Sequence, residues 1–293
     1  MSVTLLIDGN ALAYTIDVKS CNSSRDFARK MFNKIQNYAK LSTSLCKMIL
    51  FFDDKVGGTW RDNVYPDYQK DRKAQKLKED VDKKDENIRR SQYIKYTKDM
   101  IDSNEKITYL SHPHTETDDL VALYCKEIQD DGEKIIILTV DKDLYQLISK
   151  DKKKPVEIFA LREKKFIKDE DEGKQILEQK IMLGDPSDSI PSVCSGVGPK
   201  YYTDLKKLLT YMQENNLDIS DTSQYKKIAE SANLKYINSF SNFSAEQLYI
   251  NRKLVDLNSV LDLENKNELV SYIRDNLKQA KISPFALHNI KLK

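Results

Sequence analysis

The sequence predicts an α/β protein built on a mainly parallel central sheet with helices on its flanks. Three observations carry this expectation. Short aliphatic runs recur at residues 3–7, 47–52 and 133–140, and each leads into aspartate. Stretches with apolar residues at helical spacing lie between them. A strand–helix–strand order returns the chain parallel to its start, and carboxylates at the carboxyl ends of such strands stand where open α/β sheets bind ligands.

Taken in order, residues 3–7 form the first strand and Asp8-Gly9-Asn10 the turn after it. Ser24 caps a helix that carries Phe27, Met31, Ile35 and Tyr38 on one face. Residues 47–52 form the second strand, tipped by Asp53 and Asp54. The residues alone leave open which of these two serves a site. From 55 to about 104 the pattern turns to cations mixed with aromatics: Arg61, Tyr65, Tyr68, Lys70, Arg72, Lys73, Lys76 and Lys78. Between 70 and 78, five cations accompany one acid, a local charge of +4. A solvated lysine-rich helix would account for such a run. The tyrosines, and the place directly after an acid-tipped strand, point instead to phosphate and base contacts. Residues 80–86, mixed in sign and poor in apolar groups, are expected to order only with a substrate. A helix follows that buries Ile88, Tyr93, Ile94, Tyr96, Met100 and Ile101.

Residues 106–110 are the third strand. Glu116-Thr117-Asp118-Asp119 then opens a helix with Leu120, Val121, Leu123, Tyr124 and Ile128 as its apolar set, ending near Gly132. Acids on a first turn balance the helix dipole, which is the plain structural role for any one of them. Residues 133–140 are the fourth strand and end in Asp141-Lys142-Asp143. A small hairpin is expected from 156–161 and 165–167, then a helix over 172–183. Gly184-Asp185-Pro186-Ser187-Asp188 and Ser195-Gly196-Val197-Gly198-Pro199-Lys200 read as compact turns between helices. Pro199 suits a first helical position, and the glycines before it expose N–H groups able to cradle a phosphate. Further helices are expected at 201–212, 224–232, 245–257 and 267–279. Residues 285–293 receive no assignment.

Composition narrows the class. The chain has 293 residues, 40% of them hydrophobic and 32% charged, with a net charge of +2. The total says little about partners; the clustering of the charges says more. No apolar run is long enough to cross a membrane, and the N-terminus lacks the basic segment and cleavage site of a signal peptide, so a cytoplasmic protein is expected. Cys21, Cys46, Cys125 and Cys194 are far apart and read as free thiols in a reducing compartment. His112 and His114 lack the cysteine or third histidine that a zinc site would need.

The acids carry the chemistry. Asp8, Asp53, Asp141, Asp143, Asp185 and Asp188 fall at strand ends or in tight loops, and Glu116, Asp118 and Asp119 open a helix. Carboxylates gathered at one place repel one another and need cations to stay ionised together. All-oxygen ligands select hard ions such as Mg²⁺ or Mn²⁺.

Ile7-Asp8-Gly9-Asn10, Phe52-Asp53, Glu116-Thr117-Asp118-Asp119, Val140-Asp141-Lys142-Asp143 and Gly184-Asp185-Pro186-Ser187-Asp188 occur in the order found in the 5′-nuclease superfamily, which the chain resembles. That family includes flap endonucleases, phage 5′-exonucleases and the nuclease domain of bacterial DNA polymerase I. Gly196-Val197-Gly198-Pro199-Lys200 is similar to its helix–three-turn–helix DNA-binding element. The stretch from Phe52-Asp53 through Trp60-Arg61 to Tyr68 and Arg72 is similar to its strand-to-arch segment, and this order favours Asp53 over Asp54. Asn251-Arg252-Lys253-Leu254-Val255-Asp256-Leu257 resembles a downstream helix of the phage-type members. The chain departs from the pattern at the arch base. The family has Tyr-Lys-x-x-Arg, whereas here Gln69 stands at the lysine position and Lys70 follows it. Ser192 and Ser195 also replace glycines before the DNA-binding turn.

The resemblance implies a nuclease core over 1–168 with an arch or clamp inserted at 55–104. It implies a helical region over 169–293, with the helix–three-turn–helix element at about 172–213. It implies a 5′–3′ exonuclease and flap endonuclease holding two Mg²⁺ or Mn²⁺ ions. Asp8, Asp53, Glu116 and Asp118 form one metal cluster, and Asp119, Asp141, Asp143, Asp185 and Asp188 supply the second. Lys70 and Arg72 offset charge in the transition state, with Lys70 standing in for the lysine missing at Gln69. Tyr68 stacks on the displaced nucleotide, and Arg61 and Lys73 bind DNA. Gly196, Gly198 and Lys200 hold the duplex around a monovalent ion such as K⁺. The implied partners are DNA with a 5′ flap, nick or 5′ end and RNA–DNA primer junctions, with single-strand-binding protein or polymerase as candidate protein partners. A monomer in a bacterial or phage-infected cytoplasm is implied, with no membrane. Two rivals share some features. An RNA-processing nuclease with a related acidic site would lack the arch and glycine turn. A structure-specific DNA-binding protein would lack part of the acid set. A nucleotide-dependent switch would need a GxxxxGK[ST] stretch, which is absent.

Overall fold

The computed structural model describes residues 2–41, 46–54, 56–102, 107–218, 228 and 242–277. The expected helix at 224–232 (Ile228 apart), Lys106, Gln279, the side chain of Cys46 and the unassigned residues 285–293 lie outside the described residues. Two compact units form, interleaved in sequence. The first gathers Met1–Thr59, Glu79–Gly173 and Leu257–Lys293; the second gathers Trp60–Lys78 and Lys174–Asp256. The sequence reading placed a single boundary at 168 and kept 55–104 together as one insertion, whereas these units divide that insertion between them.

The first unit holds a six-stranded sheet: β1 (Val3–Asp8), β2 (Cys46–Phe51), β3 (Thr108–Leu110), β4 (Lys134–Thr139), β5 (Val156–Ala160) and β6 (Lys165–Ile167). Its order is β3-β2-β1-β4-β5-β6. The pairs β1–β2, β1–β4, β2–β3 and β4–β5 are parallel, and only β5–β6 is antiparallel. The expected mainly parallel sheet with a terminal hairpin is therefore what forms. Leu5, Leu6 and Ile7 are fully buried, which is why β1 reads as an unbroken apolar run rather than an alternating one.

Helices α1 (Gly9–Tyr14), α2 (Ser24–Ala39), α5 (Val81–Asp102), α6 (Thr117–Leu123) and α10 (Lys266–Leu277) belong to this unit. Phe27, Met31 and Ile35 of α2 enter its core as the spacing predicts. The cap of α2 is Ser23, not Ser24: Ser23 has extended backbone, and its hydroxyl accepts the Asp26 N–H at 3.2 Å. Residues 81–86 are also not left to order on a substrate. They are the start of α5, where the Asp80 carboxylate accepts the Lys83 N–H at 2.8 Å and so supplies the helix start. Ile88, expected in the core, is exposed. The inward place two residues on is taken by buried Arg90, whose guanidinium donates to Ala13 O at 2.8 Å and Ile16 O at 2.9 Å. After Leu123 the helix of α6 continues as a π-helical turn, Tyr124–Ile128.

The second unit holds α3 (Trp60–Val64), α4 (Lys70–Lys78), α8 (Tyr202–Glu214), α9 (Ala245–Val255) and most of α7 (Glu170–Leu183). One apolar cluster packs Leu205, Leu208 and Met212 of α8 with Val193, Cys194 and Phe243. Another packs Tyr68 with Ile181, Ile190, Leu254 and Val255. Asn251 is fully buried and donates to Ile181 O at 3.0 Å and Pro191 O at 2.9 Å, tying α9 to α7 and the turn after it. Cys21, Cys125 and Cys194 are free and buried. Among the described residues no helix is long and apolar enough to cross a membrane.

Candidate active site

The strand order decides where a site can lie. β1 has β2 on one side and β4 on the other, so the connections leave it in opposite directions and open a crevice at the carboxyl ends of β1 and β4. Asp8 is the last residue of β1 and the cap of α1. Its carboxylate accepts the Ala11 N–H at 2.8 Å and the Thr139 hydroxyl, from the last residue of β4, at 3.1 Å. Burial, with Asp53 and Asp141 adding repulsion, raises the Asp8 carboxyl from 3.8 to about 7, against the two hydrogen bonds that lower it.

Asp53 follows β2. Its carboxylate accepts the N–H of Thr117 at 2.8 Å, which fastens it to the first turn of α6. Asp54 points elsewhere. It exchanges two backbone hydrogen bonds of 3.1 Å with Thr115, and its carboxylate accepts the Val56 N–H at 3.4 Å. Glu116 caps α6, and its own N–H donates to the Asp119 carboxylate at 3.2 Å; the Asp118 carboxylate accepts the Asp119 N–H at 3.0 Å. One carboxylate oxygen from each of Glu116, Asp118 and Asp119 lies within 4.8 Å of the others, and Glu116 and Asp119 are buried. The geometry thus puts Asp119 beside Glu116 and Asp118, whereas the resemblance assigned it to the second cluster. After β4, Asp141 donates its N–H to the Thr139 hydroxyl at 2.9 Å and accepts the Asp143 N–H at 2.8 Å.

This donor set fits a hard divalent cation. It offers carboxylate oxygens only, three of them close enough to share one ion, beside an Asp8 that burial and its neighbours keep from ionising freely. A cation there would favour the ionised form, the reverse of the present balance.

Two residues of the site escaped the sequence reading. Thr139 serves both Asp8 and Asp141; a hydroxyl two residues before a strand-end aspartate is the signal that could have found it. Lys98 of α5 donates to the Ser111 hydroxyl at 3.2 Å and lies over the Phe52 ring at 4.7 Å. Burial lowers its pKa, against the attraction of Asp54 and Asp53. Nothing in the local sequence distinguishes it from its neighbouring lysines.

In the second unit, Asp185 caps the short 3-10 turn Pro186–Asp188. It accepts the N–H and hydroxyl of Ser187 at 2.9 and 2.6 Å and pairs with Lys180 at 2.6 Å. Burial pushes its carboxyl up, but Lys180 and Ser187 outweigh this and hold it below the ordinary value. Asp188 faces Arg72 at 3.4 Å, and its carbonyl accepts the Gln69 N–H at 2.8 Å. Lys70 turns to Asp67 at 3.1 Å and Lys73 to Asp62 at 2.6 Å, so these cations diverge along α4. The bend that precedes them is at Gln69, whose φ is +55°. Two expected DNA contacts do not stand on the surface. Tyr68 is 5% exposed and packed in the apolar cluster above, so it offers no stacking face. Arg61 is 2% exposed; it stacks on Trp60 at 4.5 Å and donates to Leu254 O at 3.0 Å, so it serves the fold. Gly196 has a φ of +76°, which favours glycine. Gly198 does not need to be glycine for the fold: its φ is −126°, and a Cβ there would meet nothing within 4 Å. Lys200 is exposed with its ammonium 4.7 Å from the Tyr201 ring.

A family model described as the 5′-3′ exonuclease N-terminal resolvase-like domain matches residues 3–180, more than half of the chain and all the candidate metal-binding acids of the first unit. The chain belongs to the 5′–3′ exonuclease family. As a member of that family it is 26% identical to the 5′-3′ exonuclease of Aquifex aeolicus (strain VF5), over 96% of this chain and 90% of that protein. It is 24% identical to the 5′-3′ exonuclease of Buchnera aphidicola subsp. Acyrthosiphon pisum (strain APS), over 98% of this chain and 86% of that protein. Its fold is that of the phage T5 5′-exonuclease solved with bound zinc, with a TM-score of 0.70 at 18% identity, covering 95% of this chain and all of that one. A T5 flap endonuclease solved as a pseudo-enzyme-product complex with DNA and metal ions is similar to the same extent, with a TM-score of 0.68 at 20% identity, covering 95% of this chain and 99% of that one.

Proposed function

We propose that this 5′ nuclease hydrolyses phosphodiester bonds at 5′ ends and 5′ flaps of DNA, and in RNA primers on DNA, with Mg²⁺ or Mn²⁺ held by the acids at the carboxyl ends of β1, β2 and β4 and at the start of α6. The observation that carries the reading is the joining of Asp53 to the first turn of α6, which puts a strand-end carboxylate beside Glu116, Asp118 and Asp119. Asp8, Asp53, Glu116, Asp118 and Asp119 would hold one ion, with Asp141 and Asp143 beside them for a second. Divalent ions there would polarise the phosphoryl oxygens and neutralise charge as it develops. Thr139 orients the Asp8 carboxylate and holds the backbone N–H of Asp141, so the turn that carries Asp141 is tied to Asp8. Within the second unit Lys180 and Ser187 hold Asp185, and Arg72 faces Asp188. Arg72 and Lys70 offer phosphate contacts from α4. Gly196 to Lys200 hold the duplex backbone around K⁺. Gly198 supports this role, because neither its backbone angle nor its packing calls for glycine, whereas close approach of a phosphate to the N–H does.

Cleavage of end-labelled single-stranded, nicked, overhang and 5′-flap DNA, with matching RNA-containing strands, tests the reading across a titration of Mg²⁺ and Mn²⁺. The expected result is divalent-dependent release from the 5′ side, strongest on flaps and lost in Asp141→Asn. Metal-independent cleavage, or full turnover by Asp141→Asn at saturating Mg²⁺, would overturn it.

A further inference from the structure

We propose that Tyr272 on α10 is a positioning residue for the acid-bearing stretch 116–119, acting through the backbone of Ser111. The inference rests on the metal-site reading above. Tyr272 lies outside the part of the chain that the family model matches. Its hydroxyl donates to the Ser111 carbonyl at 2.9 Å and accepts the Ser111 N–H at 3.2 Å. Two opposed hydrogen bonds from one atom fix the place of a backbone unit far more closely than apolar contact does. Ser111 follows the last residue of β3, so it is the point where the chain leaves the sheet for the acids. Four residues on, Thr115 is bonded both ways to Asp54, and Thr117 N–H meets Asp53. The stretch entering the acid group is thus held at one end by α10 and at the other by the residues after β2.

The same helix holds the far side. Arg274 donates to the carbonyl of Glu127 at 3.1 Å, and Lys266 pairs with the Glu127 carboxylate at 3.5 Å, both on the π-helical turn that extends α6. A helix present only for packing would need its apolar face alone, which Leu269, Val270, Ile273 and Leu277 supply. Tyr272 adds a polar hold on the backbone segment that leads from β3 into Glu116.

Two substitutions separate the hydrogen bonds from the ring. Tyr272→Phe deletes both bonds and keeps the ring against His112, whose centroid is 4.9 Å away. His112→Ala removes that ring contact and keeps the bonds. The readouts are the Mn²⁺ concentration that half-saturates thermal stabilisation, the melting temperature in EDTA, and single-turnover cleavage against Mn²⁺. In Tyr272→Phe the half-saturating Mn²⁺ should rise about tenfold while cleavage at saturating Mn²⁺ stays within about threefold of wild type, the pattern of lost support behind ligands. His112→Ala should leave the half-saturation unchanged. An unchanged half-saturation in Tyr272→Phe, or an equal rise in both variants, would overturn the inference. Amide exchange on the unsubstituted protein tests it without any substitution: Mg²⁺ should slow exchange at Ser111 together with 115–119, and protection confined to 115–119 would overturn it. If Mn²⁺ fails to stabilise the wild-type protein at all, the metal-site reading fails instead.

Discussion

Asp8 is the residue at which fold and chemistry oppose each other. Its carboxyl is raised from 3.8 to about 7, chiefly by burial. A carboxyl whose folded value exceeds its unfolded one favours the folded state most below the unfolded value. That contribution is lost as pH rises from about 4 to about 7. The metal-free protein therefore carries a cost on the order of a few kcal/mol at pH 8. Asp8→Asn should raise the melting temperature in EDTA at pH 8, leave it unchanged near pH 4, and abolish divalent stabilisation. A scanning-fluorimetry series over pH with and without Mn²⁺ reads all three. At the arch base, Arg72→Ala should lower single-turnover cleavage by roughly ten- to a thousandfold, the scale for one group that stabilises the transition state, and Lys70→Ala by less. Gln69→Lys should not rescue Lys70→Ala, because position 69 is buried with φ +55° and would enclose a charge. Full rescue would show that the segment rearranges around substrate.

At the scale of elements, the turn before α8 and the helix α3 make opposite predictions. Gly198→Val should leave the melting temperature where it is, since the backbone is extended and the space open, yet weaken duplex binding by roughly tenfold, about 1.4 kcal/mol. Fluorescence anisotropy on a hairpin duplex measures it, and unchanged affinity would remove the turn from the interface. Arg61→Ala should do the reverse. It leaves the Leu254 carbonyl unpaired and the Trp60 face bare, costing about 2 kcal/mol of stability by urea unfolding. Sequence reading made Arg61 and Tyr68 DNA contacts because cations mixed with aromatics look alike whether they face solvent or a core. Neither residue type announces its burial, and only the packing of α9 against α3 assigned it.

For the whole molecule, the interleaving of the units matters most. The α/β unit takes in residues from beyond 256, where Leu257, Val260, Leu269, Val270, Ile273 and Leu277 are buried. At about 1.5–3 kcal/mol for each such side chain, their loss rivals the 5–15 kcal/mol by which a whole domain is stable. A fragment ending at 256 should therefore fail to unfold cooperatively, as judged by circular dichroism against temperature. A sharp transition near that of the full chain would show that the α/β unit stands without its last helix.

The sheet and its acid tips were legible because they are local. An aliphatic run that stops at Asp8 or Asp141 states both the strand and the place where it ends, and the order of runs states that they lie parallel. Glu116, Asp118 and Asp119 were legible for the same reason, being close in sequence and on one helical turn. What tertiary structure alone decided were the partnerships made over long separations: Thr139 with Asp8, Asp53 with Thr117, Tyr272 with Ser111. The residues alone left Asp53 and Asp54 open and the family resemblance favoured Asp53; the physical difference between the two belongs with these partnerships. Adjacent strand residues point to opposite faces, and only the packing of α6 onto the end of β2 turned Asp53 toward the acids and left Asp54 to Val56.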